Sequence, residues 1–144
     1  MPKRKIHEVM SDRDIVKIGP DQTVREAAQS IKDNHVGSVL VEERGRLLGI
    51  LTERDIIERV LCRDLSPDQT LVRDVMTRNP RTVRSDATVF QALQAMKEGG
   101  VRHLPVFRED QVVSVVSMRD FVPVEVRMFD RAEEVCEELM QRIA

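Results

Sequence analysis

Two four-residue runs carry the side chains best suited to chemistry, Thr52-Glu53-Arg54-Asp55 and Ser117-Met118-Arg119-Asp120. Each begins with a hydroxyl, has an arginine two positions on and closes with an aspartate three positions on. Two uses of that spacing stay open. A hydroxyl and a carboxylate so placed form a capping box, satisfying the first free N–H groups of a helix. The same groups can hold a ligand instead. A helix start attracts anions, a hydroxyl can donate to a phosphate, and a carboxylate can accept from two adjacent ribose hydroxyls. In symmetric positions, the pattern suits a nucleotide held by sugar and phosphate together.

Other chemistry has little support. The three histidines, His7, His35 and His103, form neither an HExxH pattern nor a cluster, which argues against a metal site. There is no glycine-rich phosphate loop, and no nucleophile is spaced against a base. We therefore expect no catalytic residues, no catalytic cofactor and no enzyme activity.

The elements that must position these runs are written twice. Aligning Thr23 with Thr88 gives an offset of 65 that holds without a gap to Asp55 and Asp120. Thr23, Val24, Ala27, Gln29, Lys32, Val36, Val41, Arg54 and Asp55 meet identical residues, and most other positions pair apolar with apolar. Before Thr23 the register slips by one, so that Val9-Met10-Ser11 matches Val75-Met76-Thr77. A fixed repeat of this kind is one supersecondary unit used twice.

Each copy reads as short strand, helix, strand, strand, helix. Thr23 and Thr88 are expected helix N-caps, followed by apolar residues at i, i+3, i+4 and i+7. Gly99-Gly100 closes the second helix. The runs 36–42 and 46–51, with their twins 101–107 and 111–116, are β-rich, short and separated by polar turns, as paired strands are. Thr52 and Ser117 then precede helical segments, the first with Ile56, Ile57, Val60 and Leu61 on one face, while Arg54, Arg59 and Arg63 are expected to be solvated. One copy cannot bury its sheet alone. The expected fold class is α+β: two β-α-β-β-α repeats packed sheet to sheet with pseudo-two-fold symmetry, plus an amphipathic C-terminal helix. The expected boundaries are 1–64, 65–122 and 123–144. In the last segment Met128, Ala132, Val135 and Leu139, with Phe129, Cys136, Met140 and Ile143 beside them, form a broad stripe expected in a core or a dimer contact.

Composition narrows the function classes. The 144 residues hold 23 basic and 25 acidic side chains, no Trp or Tyr and four Phe. Balanced charge and few stacking aromatics argue against nucleic-acid binding. No apolar run approaches the roughly 20 residues of a membrane span. The basic start, Met1-Pro2-Lys3-Arg4-Lys5, leads into His7-Glu8 rather than an apolar signal segment. Cys62 and Cys136 lack a CxxC spacing, so reduced thiols and a cytoplasmic location are expected.

Taken in order, these pieces resemble the CBS-domain family, whose modules usually come as tandem pairs (Bateman modules). The resemblance runs from Val9 to Phe121. It rests on Val9-Met10 and Val75-Met76, on Gly37-Ser38-Val39-Leu40-Val41 and Arg102-His103-Leu104-Pro105-Val106, and on the Gly49-Ile50-Leu51-Thr52-Glu53-Arg54-Asp55 segment. It implies a regulatory module that binds AMP, ADP, ATP or another adenosyl compound in clefts between the copies. Such a module signals through the conformation of a homodimer or of an effector partner. The alternative is a structural dimerisation module with unoccupied clefts. Carried over by residue, the resemblance implies one cleft from Thr52 and Asp55 with Arg81, Arg102 and His103. The other takes Ser117, Arg119 and Asp120 with Val16, Gly37 and Ser38. Asp55 and Asp120 would take ribose hydroxyls, Thr52 and Ser117 the α-phosphate or ribose, and Arg102, His103 and Arg119 phosphate charge. Three departures, Gly49 against Ser114, Gly45 against Asp110 and Leu40 against Pro105, lead us to expect unequal clefts.

Overall fold

Seven short strands and six α-helices, most of them in matched pairs, make up the described residues, 4–10, 15–121 and 123–143, of a computed structural model. Ser11 and Met1-Pro2-Lys3 lie outside the described residues. The chain divides into two units, Arg13–Pro80 on one hand and Met1–Asp12 with Arg81–Ala144 on the other.

The first unit contains β1 (Lys17–Ile18), α2 (Val24–Asn34), β2 (Ser38–Glu43), β3 (Arg46–Thr52), α3 (Glu53–Arg59), α4 (Val72–Val75) and β4 (Thr77–Arg78). Its strands form one sheet in the order β1-β2-β3-β4, parallel between β1 and β2 and antiparallel elsewhere. The second unit contains α1 (Ile6–Val9), β5 (Val83–Arg84), α5 (Val89–Gly99), β6 (His103–Arg108), β7 (Gln111–Ser117) and α6 (Pro123–Ile143). Its sheet runs β5-β6-β7, with a parallel pair and then an antiparallel one.

Local sequence explains the matched helices. Thr23 accepts the Glu26 N–H, and Thr88 accepts the Gln91 N–H, each within a capping box, and this satisfies donors that a helix start leaves free. Val24, Ala27 and Ile31 then line the buried face of α2, as Val89, Ala92, Leu93 and Met96 line that of α5. Both helices end in a left-handed residue, His35 at φ 54° and Gly100 at φ 62°. The strand pairs also match in detail, since β2 and β6 each carry an irregularity at the same place, Val41/Glu42 and Val106/Phe107. Arg44 at φ 53° and Glu109 at φ 56° hold matched places in the two hairpins; the next residue is Gly45, at φ 76°, in the first and Asp110 in the second.

A less expected symmetry concerns α1 and α4. In the first unit Val72 N–H donates to Gln22 O, Arg73 N–H to Pro20 O, and Val24 N–H to Thr70 O. In the second unit Ile6 N–H donates to Ala87 O, His7 N–H to Ser85 O, and Val89 N–H to Arg4 O. The segment leading into one repeat thus docks on the helix start of the other repeat's unit. Val72, Val75 and Met76 join the core of Ile18, Val24, Ala27, Ile31, Val39, Val41, Leu51 and Val60. Ile6 joins the core built around Val89, Leu93, Met96, Leu104 and Val106. The compact units therefore cut across the expected repeat boundary, since 13–80 runs past residue 64 and the other unit takes in α1. The one-residue register slip falls in the connections between these leading segments and the helices.

Three expectations change. Ser117 is followed by a single 3-10 turn, Met118–Asp120, not by a counterpart of α3. After Thr52, Val60 is fully buried and Ile56 partly so, but Ile57, inside α3, lies about 100° round the helix from Ile56 and is exposed, and so is Leu61, because α3 stops at Arg59 and the helical phase is lost before it. In α6, Phe129 is buried edge-on against Phe90, with ring centroids 5.4 Å apart, whereas Met128, Val135, Leu139, Met140 and Ile143 are exposed, so of the expected core or dimer contact only Phe129 is core within one chain. Among the described residues no helix is long and apolar enough to cross a membrane.

Candidate functional site

Each hydroxyl–carboxylate run lies where a long strand ends. Thr52 closes β3 and caps α3; its hydroxyl accepts the Asp55 N–H at 3.1 Å, and its own N–H donates to Asp55 Oδ2 at 3.0 Å. Asp55 is buried, and its other oxygen lies 3.7 Å from Arg59 Nε. Ser117 closes β7, and its N–H donates to Asp120 Oδ2 at 2.7 Å. Asp120 is half-buried and Arg119 exposed. The capping use of both runs is thus present in the fold.

The loops before β2 and β6 lie directly beside these turns. Ser38 stands opposite Thr52, and His103 opposite Ser117, at the same ladder position of the two sheets. Glu53 donates its N–H to Gly37 O, and Met118 donates its N–H to Arg102 O, both at 3.0 Å. Val16 enters from the side, accepting the Leu40 N–H at 2.9 Å. The first unit therefore groups Thr52, Asp55, Gly37, Ser38 and Val16. The second groups Ser117, Arg119, Asp120, Arg102 and His103, with Arg81 ahead of β5.

Arg81 pairs with Glu98 at 3.2 Å and lies over Gly99, where an added Cβ would come within 2.6 Å of Arg81 Cδ. Gly99 thus leaves room for the arginine stem. Ser38 and Ser114 are both buried, and no buried side-chain polar atom among the described residues lacks a hydrogen-bond partner. No group of three or more His, Cys, Asp or Glu among the described residues is placed to hold a metal ion. What these turns offer is hydroxyl, carboxylate and backbone hydrogen bonding with arginines nearby, which is the chemistry of recognising a polar ligand.

Sequence reasoning missed Arg59. It was expected in solvent, yet its guanidinium donates to Val75 O at 3.0 Å and faces Asp55, so α3 is tied to α4 at the site. The i,i+4 spacing of Asp55 and Arg59 was the available signal. Reading missed Glu125 too, which is 4% exposed and takes a two-pronged contact from Arg4 at 2.6 and 2.8 Å.

Comparison with known proteins agrees with this arrangement. The model of the CBS domain matches twice, over residues 6–62 and 72–127. The chain belongs to the CBS-domain family. The CBS chain is 30% identical to the uncharacterized protein MK0525 of Methanopyrus kandleri, over 91% of its own length and 68% of that protein's. It is 36% identical to the CBS domain-containing protein CBSCBSPB2 of Arabidopsis thaliana, over 81% of its length but only 22% of the plant protein's. Among solved structures, the CBS-domain containing protein ATU1752 from Agrobacterium tumefaciens superposes with a TM-score of 0.76 at 30% identity. That match covers 83% of this chain and 91% of the other. Tandem CBS domains are generally regulatory modules that bind ligands.

Proposed function

We propose that this CBS pair is a non-enzymatic, cytoplasmic sensor of an adenosine nucleotide or related adenosyl compound, which reports through the conformation of a homodimer or of an effector protein. The observation that carries the reading is the repeated turn: a strand-ending hydroxyl whose N–H holds one oxygen of the aspartate three residues on. A carboxylate fixed through one oxygen keeps lone pairs for the two neighbouring hydroxyls of a ribose. In this reading Thr52 and Asp55 act with Arg81, Arg102 and His103 of the other copy, and Ser117, Arg119 and Asp120 act with Val16, Gly37 and Ser38.

The test is a thermal-shift panel of AMP, ADP, ATP, NAD and S-adenosylmethionine on wild type, Asp55→Ala and Asp120→Ala. Each variant is compared with its own ligand-free state, because losing a cap lowers stability by about 1 kcal/mol without any ligand. A ligand at a hundred times its Kd should stabilise the wild type by about 2.7 kcal/mol. Each Asp change should reduce that shift. A shift that survives both changes overturns the ribose assignment.

One observation favours the second reading, a structural dimerisation module. Asp55 already has Thr52 and Arg59 beside it, so its local polar needs are met without a ligand. No shift with any of the five compounds would select that reading.

A further inference from the structure

Helix α6 packs one face and leaves another bare. Phe129 and Glu125 turn inward, onto Phe90 and Arg4. Met128, Val135 and Leu139 are 41%, 47% and 51% exposed. With Ala132 they recur at spacings of four, three and four, the a/d rhythm of a helix-pairing seam. At about 100° per residue this seam lies roughly a quarter-turn from Phe129, so the packing that buries Phe129 does not cover it.

The charges beside the seam select the partner and its direction. Arg131 and Glu138 are exposed, make no ion pair among the described residues, and flank the seam on the same side in successive heptads. A second α6 running antiparallel, with Val135 against the partner subunit's Ala132 and Leu139 against the partner subunit's Met128, sets Arg131 beside the partner subunit's Glu138. The two-fold axis then repeats that pair. A parallel helix would instead place Arg131 near the partner subunit's Cys136 and Glu138 near the partner subunit's Ile143, with no charge partner for either.

We propose that α6 is a self-complementary docking helix whose occupant is α6 of a second copy, bound antiparallel. The contact locates the proposed self-association and needs no ligand. Its seam runs only about 17 Å along the helix, so the association is reversible and concentration-dependent.

Sedimentation equilibrium of the full chain tests it. Arg131→Glu alone and Glu138→Arg alone set like charges together and should each weaken association by about tenfold. The double change Arg131→Glu/Glu138→Arg should restore it. In a Cys62→Ser/Cys136→Ser background, mixing an Ala132→Cys chain with a Val135→Cys chain should give a disulfide-linked heterodimer. The changed positions are all exposed, and circular dichroism checks that each variant is folded. Association that ignores the single charge changes, a double change that does not restore it, or cross-links only between two Ala132→Cys chains would overturn the proposal. Ligand shifts read on the same variants keep this outcome separate from that of the sensor reading.

Discussion

Gly49 and Ser114 occupy the same place in the two copies, and their neighbours explain the difference. Gly49 lies under β4, where an added Cβ would meet Thr77 O at 2.5 Å and Met76 Sδ at 2.9 Å. Backbone cannot retreat as a flexible side chain can, so Gly49→Ala should cost about 1–3 kcal/mol in chemical denaturation. A loss below a few tenths would show that β4 moves away freely. The departure at Gly49 was visible in the sequence, but its cause was not, because the clash comes from Thr77, 28 residues further on. The hydroxyl–carboxylate turns were legible for the opposite reason: their partners are three residues apart. Arg59 falls between these cases, since its contact with Asp55 is local but its bond to Val75 O is not.

Among the elements, α2 and α5 were the most legible, because cap and apolar spacing agree within eleven residues each, joined in α5 by the glycine at its end. Their caps differ in one physical respect. Glu26 closes the box of α2, and its carboxyl is held below its ordinary value of 4.5, first by the Gln22 amide and then by the Thr23 N–H. A depressed folded-state value means the unfolded chain takes up the proton more readily. This stabilisation is complete above the unfolded value and is lost as pH falls through the folded one. Gln91 does the same work in α5 without a charge, its amide oxygen accepting the Thr88 N–H at 2.9 Å. The stability difference between wild type and Glu26→Gln should therefore shrink as pH falls below about 4.5, measured by urea unfolding at several pH values. A difference constant from pH 7 to pH 3 would contradict the assignment. Helix α6 was legible as amphipathic, but not as half bare. A stripe in sequence does not say how far along the helix its neighbour α5 reaches.

At the scale of the molecule, the repeat and the folded unit are different divisions of one chain. Cutting after residue 64 removes Val72, Val75 and Met76 from the first core. Each such side chain contributes about 1.5–3 kcal/mol when buried, and three together rival the whole stability of a small domain. A fragment 13–80 should accordingly melt cooperatively by circular dichroism, where a fragment 1–64 should not. Equal melts would mean that α4 is dispensable. The same division bears on synthesis. The unit 13–80 is continuous and is fully present once its last residue leaves the ribosome, at an elongation rate of about 5–20 residues per second. The other unit brings Ile6 into a core with residues from Val83 to Phe129, so α1 must wait for that later stretch to be made before its own core exists. Helix α1 is therefore made before the unit 13–80 but buried only after it, and a nascent-chain chaperone would meet Ile6 exposed while that unit is already folded.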